Sequence, residues 1–371
     1  MHIEKLKLNN FKNYQTETFL FSPNINCLLG LNGMGKTNVL DAIYYASMSK
    51  SYFNVLDAHI VNLDETFFRL ELNIKNEAKD ELLVVKLQPK KRKEFEVNGI
   101  KYDRITEHIG RYPVVMISPD DTLLATEGSE ARRKLLDNTL SQLSPEYLLA
   151  LIHYNAVLKQ RGAALKQMYQ SQQYNQSLID VYNTQLIEPA AIIHSKRVDF
   201  VNLLTPIFHT FYGSISGEKE QVNIEFLSDM NDATLEVLLQ RNIEKDRILQ
   251  RTSAGPHRDD ISFLINNNQL KRFASQGQTK SFVMALKLSQ YELLRRAKGI
   301  KPFLLLDDIF DKLDSNRVSF LLDLLLQDSF GQIFITDAHK SRISDILTQK
   351  NATFKSFDIQ EGNIVDSLTF P

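Results

Sequence analysis

Gly30-Leu31-Asn32-Gly33-Met34-Gly35-Lys36-Thr37 sets a glycine, four spacers, a second glycine, a lysine and a threonine in one run. This is the Walker A pattern, and its chemistry is phosphate binding. Glycine lets backbone N–H groups close on a polyphosphate as an anion nest. Lys36 would reach the β- and γ-phosphates, and Thr37 would place a hydroxyl on Mg²⁺. Near the other end, Leu304-Leu305-Leu306-Asp307-Asp308 brings two carboxylates to the close of an apolar run, the Walker B pattern. Asp307 would hold Mg²⁺, directly or through water, and Asp308 would orient an attacking water. The expected site is therefore the loop from Gly30 to Asn38 with Asp307 for nucleotide, Thr37 and Asp307 for metal, and Lys36 and Asp308 for catalysis.

Such a loop works between a strand and a helix whose N-terminus faces the phosphates. Residues 24–29 read as a short apolar strand, and 37–48 as a helix with Val39, Leu40, Ile43 and Tyr44 on its apolar face. Residues 303–306 are apolar without interruption, which suits a strand buried on both faces of a mostly parallel sheet. Carboxylates at its C-terminal end fall where ligands bind in open α/β sheets. Because the two motifs lie at opposite ends of the chain, everything between must leave this core and return to it.

Residues 1–117 are strand-rich, with strands expected at 3–8, 17–21, 67–74, 81–87 and 114–117, and a hairpin turn at Asn98-Gly99. Residues 118–255 turn helical: Leu135, Leu136, Leu140 and Leu143 recur at helical spacing, while Pro145, Pro189 and Pro206 mark boundaries or kinks. Strands return at 261–265 and 269–273, a helix follows at 279–297, and a last strand is expected at 332–335. The predicted division is one domain from 1–117 and 256–371, and a mainly helical inserted lobe from 118–255.

Ser275-Gln276-Gly277-Gln278 precedes the second motif and reads as the signature loop of an ABC-type ATPase head. Ser275 can cap the following helix, and Gly277 permits close approach to that helix N-terminus. A γ-phosphate held by another subunit would dock there, so Ser275, Gly277 and Gln278 join the nucleotide-binding set. Asp311 to Asp314 would form the D-loop across the same interface, and Thr336 or His339 would supply the switch contact. The predicted fold is α/β: an ABC-type head, with a mixed sheet around the P-loop core plus antiparallel strands, and an inserted compact helical lobe. The insertion is short, carries prolines and lacks sustained heptads, so a coiled-coil arm is not expected.

Motifs along essentially the whole chain resemble the RecF family of bacterial recombination-mediator ATPases. They are Asn10-Phe11-Lys12-Asn13-Tyr14, the Walker A loop with Asn38, Ser118-Pro119-Asp120-Asp121, Gly128-Ser129 and Arg132-Arg133-Lys134-Leu135-Leu136-Asp137. Thr252-Ser253-Ala254-Gly255-Pro256-His257-Arg258-Asp259-Asp260 is the most family-specific string, followed by the signature and the stretch from Leu304 to Asp314. The resemblance implies a head-to-head dimer around two ATP molecules, ATP-dependent binding of duplex and gapped DNA, and slow hydrolysis serving as a switch. It also implies RecO- and RecR-like partners and help in loading a recombinase at single-strand gaps, with roles in DNA repair, the SOS response and replication-fork maintenance. Asp308 stands where related heads usually carry glutamate, one methylene longer, which fits slow turnover. Lys12 and Asn13 would either face the nucleotide or serve as a plain strand connection, and His257 and Arg258 would either approach the nucleotide or form a structural ion pair.

Formal net charge is -1, so any DNA surface must be a local patch. Lys90-Lys91-Arg92-Lys93 is the densest basic run and has two readings, a phosphate-binding hairpin or a solvated charged one. The single cysteine, Cys27, excludes a disulfide framework and fits a reducing cytoplasm. No stretch is apolar and long enough for a membrane span, and no signal-peptide core opens the chain. Two other functional classes share the ATPase motifs: a transport ATPase subunit, and a structural DNA clamp that binds ATP without turning it over.

Overall fold

The computed structural model describes residues 1–53, 55–76, 79–217, 220–310, 315–339 and 342–370. The chain opens with β1 (His2–Phe11), β2 (Tyr14–Leu20), β3 (Ile25–Leu29) and α1 (Lys36–Met48). β4 (Phe68–Lys75), β5 (Glu81–Leu87), β6 (Glu94–Val97), β7 (Ile100–Lys101) and β8 (Val114–Ile117) follow. Helices then take over with α2 (Leu123–Thr126), α3 (Ser129–Leu143), α4 (Pro145–Ser171) and α5 (Gln176–Ser216). β9 (Val222–Leu227), α6 (Leu235–Arg241), α7 (Ile243–Leu249), β10 (Asp260–Ile265), β11 (Asn268–Gln269), α8 (Leu270–Phe273) and α9 (Gln276–Lys298) come next. β12 (Phe303–Leu306), α10 (Ser315–Leu325), β13 (Ile333–Asp337), α11 (Arg342–Gln349), β14 (Phe354–Gln360) and β15 (Asn363–Phe370) end the chain.

Two compact units emerge, one from 1–121 with 290–371, the other from 122–289. The first unit holds two six-stranded sheets. One is antiparallel in the order β2-β1-β4-β5-β6-β7, and its β4 alternates buried and half-buried side chains as a half-buried strand does. The other is mixed, β15-β14-β3-β13-β12-β8, and only β15 runs antiparallel to its neighbour. β3, β8, β12 and β13 are buried at every position, as expected of parallel strands covered on both faces. α1 contributes Val39, Leu40, Ile43 and Tyr45 to one apolar core with Leu8 and Phe68 of the first sheet and Leu28, Met116 and Phe334 of the second. Gln332 ties the chain ends together: its side chain accepts from the Ile3 N–H and donates to the carbonyls of Ile3 and Ser22.

The second unit pairs long helices with a small antiparallel sheet, β11-β10-β9. α5 runs 41 residues through Pro189 and Pro206. Its buried stripe of Leu186, Ala190, Ile193, Arg197, Phe200, Leu204 and Phe208 holds the helix across both missing N–H groups.

Three expectations change. Residues 256–289 group with the second unit, whose boundary falls inside α9 at 289/290, because β10 pairs with β9 along six residues. The expected strand at 269–273 shortens to Asn268–Gln269, and Leu270–Phe273 is helical. Asn266 and Asn267 both take positive φ, so the turn between β10 and β11 is tight, and the β10–β11 pairing covers only Leu264 and Ile265 before the chain turns helical at Leu270. β13 is not the last strand: β14 pairs with β3 in parallel and β15 folds back on β14.

Candidate functional site

In the first unit, β3 feeds a loop whose geometry only glycine permits at two points. Gly30 has φ 143, and a Cβ there would lie 2.4 Å from the Ile359 carbonyl oxygen. Gly35 has φ 109, and a Cβ there would meet the Asn13 amide at 2.5 Å. The loop tip, Leu31 to Gly33, is exposed, whereas Gly35 and Lys36 are buried. Backbone N–H groups at the start of α1 therefore stand at a helix N-terminus, the arrangement that favours anions.

Lys36 donates from Nζ to the carbonyls of Gly30 at 2.6 Å and Leu31 at 2.8 Å, which lays the side chain along the loop. Burial lowers its pKa, and the charges of Asp308, Asp307 and Asp337 pull it back up. The ammonium thus stands partly desolvated among carboxylates, where its charge acts most strongly.

Thr37 Oγ1 lies 2.7 Å from Asp307 Oδ1, a contact between residues at opposite ends of the chain. Parallel pairing explains the convergence: β12 lies between β8 and β13, and β13 pairs with β3, so the C-terminal ends of these strands align. The Thr336 hydroxyl donates to the same Asp307 oxygen at 2.8 Å and accepts the Asp308 N–H at 2.9 Å. Asp308 has φ 45, a left-handed conformation that non-glycine residues rarely take. Thr336 thus fixes both the buried carboxylate and the backbone of its strained neighbour. Burial raises the Asp307 pKa, hydrogen bonds from Thr37 and Thr336 lower it, Asp308 raises it, and Lys36 lowers it.

Of the two switch candidates, Thr336 reaches the Walker B strand, whereas the His339 side chain is exposed. Asp337, one residue on, accepts from both Nε and Nη2 of Arg342 and from the His339 N–H. The expected D-loop, Asp311 to Asp314, lies outside the described residues. Asp121 caps its own turn by accepting the Ser118 N–H at 2.8 Å, and the Tyr52 hydroxyl also donates to it.

Asn13 and Tyr14 brace the loop from behind, a role the sequence does not announce. Asn13 donates to the Met34 carbonyl and accepts from Asn38 Nδ2 at 2.7 Å. The Tyr14 hydroxyl donates to the Gly35 carbonyl. Lys12 forms an ion pair with the fully buried Asp41 of α1 at 2.6 Å. Asp41 also accepts from the Ser51 hydroxyl and the Tyr52 N–H. The only local signal for this support is the run Asn10-Phe11-Lys12-Asn13-Tyr14 itself, in which Asn10 and Lys12 both take positive φ.

In the basic run, Lys93 turns inward: its Nζ donates to the Ser49 carbonyl at 2.6 Å, pairs with Asp57 at 2.9 Å and sits over the Tyr45 ring. Arg92 donates to the Asp103 carbonyl. Lys90 and Lys91 are exposed.

In the second unit, Ser275 and Gln278 form a reciprocal cap at the start of α9. The Ser275 N–H donates to Gln278 Oε1 at 2.7 Å, and the Gln278 N–H donates to Ser275 Oγ at 3.2 Å. Gln278 Nε2 donates onward to Glu220. Ser275 is exposed, and Gly277 lies in the first turn.

The Gly-Pro-His-Arg-Asp-Asp string is built differently. His257 Nδ1 lies 2.7 Å from the Tyr154 hydroxyl, and Nε2 lies 3.0 Å from the Thr252 carbonyl. Burial pushes the imidazole pKa down to about 4. Arg197 bonds Asp259, Asp137 and the Pro256 carbonyl, and Arg132 grips Asp260 through two nitrogens. These residues form the structural network; Arg258 alone of the string's charged side chains is exposed.

The family described as RecF/RecN/SMC N terminal domain matches residues 2–361. A DNA replication and repair protein RecF from Flavobacterium johnsoniae is 43% identical, covering 97% of this chain and 100% of its own length. The RecF of Parabacteroides distasonis is 40% identical over 98% of this chain and 99% of its own. A solved structure of the recombination mediator protein RecF with ATP, from the RecFOR pathway, matches with a TM-score of 0.88 at 29% identity, covering 99% of this chain and 97% of that one. The Smc head domain of Pyrococcus furiosus shares the fold, with a TM-score of 0.57 at 16% identity over 99% of this chain and 96% of that one.

Proposed function

The chain belongs to the RecF family, and on that premise we propose that it is an ATP-dependent DNA-binding protein of recombinational repair and replication-fork maintenance. The observation that carries the ATP part is the contact of Thr37 with Asp307 and of Thr336 with both Asp307 and Asp308, which joins the phosphate loop to the carboxylate strand. The names and bound ATP of the relatives support the rest.

Backbone N–H groups of the loop and the start of α1 receive the β- and γ-phosphates, and Lys36 adds its charge to them. Thr37 Oγ1 and Asp307 Oδ1 are adjacent hard oxygens of the kind Mg²⁺ takes alongside phosphates and water, so these two residues would hold it. The ion, when bound, neutralises charge on the phosphates. Asp308 orients the attacking water, and its short side chain makes hydrolysis slow, a switch rather than a motor. Ser275, Gly277 and Gln278 at the α9 N-terminus receive the γ-phosphate held by a second copy, so ATP joins two heads. Duplex and gapped DNA bind through backbone phosphates, with Lys90 and Lys91 as contributors. RecO- and RecR-like proteins are the partners, and the outcome is recombinase loading at single-strand gaps.

The test is molecular mass in solution with ATP, ADP or no nucleotide, with and without gapped duplex. Dimers should form with ATP and persist on DNA, and Ser275→Arg should abolish them while leaving ATP binding intact. A wild type that hydrolyses ATP at full rate as a strict monomer refutes the shared site.

A further inference from the structure

Within the second unit, β9 is an end strand among the described residues, since its sheet has the order β11-β10-β9. The Asn266 N–H donates to the Gln221 carbonyl at 2.7 Å, which fixes the phase of the antiparallel ladder. Ladder bonds then alternate, so Asn223, Glu225 and Leu227 direct their N–H and C=O groups toward β10. Those of Val222, Ile224 and Phe226 point away from it. The Phe226 carbonyl has a long contact of 3.4 Å from Asn231 Nδ2.

Beside this edge lies a cleft of about 600 Å³, walled by Ile224, Glu225 and Phe226 on one side and by α5 on the other. The α5 wall is Val198, Val201, Asn202, Thr205 and Pro206, spaced along one helix face. Pro206 has no N–H for the Asn202 carbonyl, so the helical ladder loses its bond at the cleft wall.

The charge here has one sign. Glu225 lines the cleft, exposed Asp229 and Asp232 flank the lining residue Asn231, and exposed Asp199 follows Val198. Among the described residues no lysine or arginine lines it, and Lys196, two residues before Val198 on α5, is paired with Glu146. An acidic cleft repels nucleic acid phosphates and attracts cationic side chains.

We propose that the β9 edge and its acidic cleft form a docking site for an extended, lysine- or arginine-bearing segment of a partner protein, which adds as a fourth strand to this sheet. Backbone groups of Ile224 and Phe226 give the pairing. Alternate small apolar side chains enter between β9 and α5, and the intervening cations face Glu225, Asp229 and Asp232. The edge is otherwise the kind of unpaired template that proteins tend to cover or blunt. This site does not depend on the ATP-driven reading above.

The experiment uses the full chain and three synthetic hexapeptides: alternating Lys-Val, alternating Glu-Val, and the Lys-Val peptide N-methylated on alternate amides. Binding and residue-resolved amide exchange are followed by NMR. The Lys-Val peptide should slow exchange at Ile224 and Phe226 while leaving Asn223 and Glu225, already bonded to β10, unchanged. The Glu-Val and N-methylated peptides should bind at least about tenfold more weakly. Glu225→Lys with Asp229→Lys, both exposed, should weaken the Lys-Val peptide by about the same factor and keep ATP-dependent dimerisation. Equal binding of the two charge types, absent protection at Ile224 and Phe226, protection from duplex DNA at the same amides, or edge-to-edge self-association of the chain without peptide would each overturn the proposal.

Discussion

The two most distinctive strings in this chain are put to opposite uses. The phosphate loop keeps an open tip: Leu31, Asn32 and Gly33 are exposed and Lys36 bonds carbonyls of its own loop, beside the buried Asp307 carboxylate that Thr37 and Thr336 hold. The Gly-Pro-His-Arg-Asp-Asp string directs most of its polar groups inward, where His257, Asp259 and Asp260 meet Tyr154, Arg197 and Arg132. The loop tip has an open face where partners can be gained, whereas the charged groups of the string, Arg258 apart, are turned inward onto partners they already have. A motif's specificity to a family therefore does not say whether it does chemistry; the remaining hydrogen-bonding capacity of its groups does.

That contrast can be broken or sharpened by substitution. The largest expected effect is on Lys36→Met. ATP-dependent DNA binding should fall by at least about a hundredfold, while the melting temperature without nucleotide stays at the wild-type value. Nucleotide titration beside thermal melting checks this, and a folded Lys36→Met protein with normal ATP response would place the phosphate contact elsewhere.

Arg197→Met should do the reverse. Removing this guanidinium leaves the buried Asp259 without its cation and weakens the hold on Asp137. A stability loss of about 3–5 kcal/mol is expected, the range for breaking one side of a buried pair. Chemical denaturation measures it. A loss under about 1 kcal/mol would mean the network is a surface-like array after all.

A third, smaller effect follows pH. His257 is held at a pKa of about 4, below its ordinary 6.5, because burial disfavours the cation. Between those values the unfolded chain binds a proton that the folded chain does not, so stability rises with pH across that window. The contribution is complete above pH about 6.5 and is lost as pH falls toward 4. His108, buried in the first unit against the Ala46 carbonyl, behaves in the same direction. Melting temperature should decline from pH 7 to pH 4, and His257→Gln should make the decline shallower. An unchanged slope in that variant would remove His257 from the acid response.

The smallest effect concerns the basic hairpin. Lys90→Gln with Lys91→Gln should weaken binding to every DNA sequence alike and lower the salt slope by about one unit per lost contact. Lys93→Gln should instead destabilise the first unit, because Lys93 holds Ser49 and Asp57. If the two sets of changes act alike, the inward–outward division of that run is wrong.

Much of the site is legible in the chain itself. Phosphate binding needs spaced glycines, a lysine and a hydroxyl within one short run at the mouth of a helix, so Gly30 to Thr37 carry their chemistry in their order. A buried parallel strand needs unbroken apolar residues, so Phe303 to Leu306 declare themselves, and the two aspartates mark its end. The Ser275–Gln278 cap is equally local, three residues apart and reciprocal.

Other features exist only because the sheets bring distant residues together. Nothing near Thr336 says that it bonds Asp307 and the Asp308 backbone; parallel pairing of β12 with β13 decides that. Asn13 beneath Gly35, and Lys12 on Asp41, depend on how the antiparallel sheet packs against α1. β9 and β14 are not legible in the sequence, because a short strand has no stronger local signature than a loop and its partner lies far along the chain. Sequence determined which atoms could bind phosphate, since that information is carried by neighbours along the backbone. Only the tertiary structure decided which polar groups are already paired, because hydrogen-bond partners are chosen by distance in space.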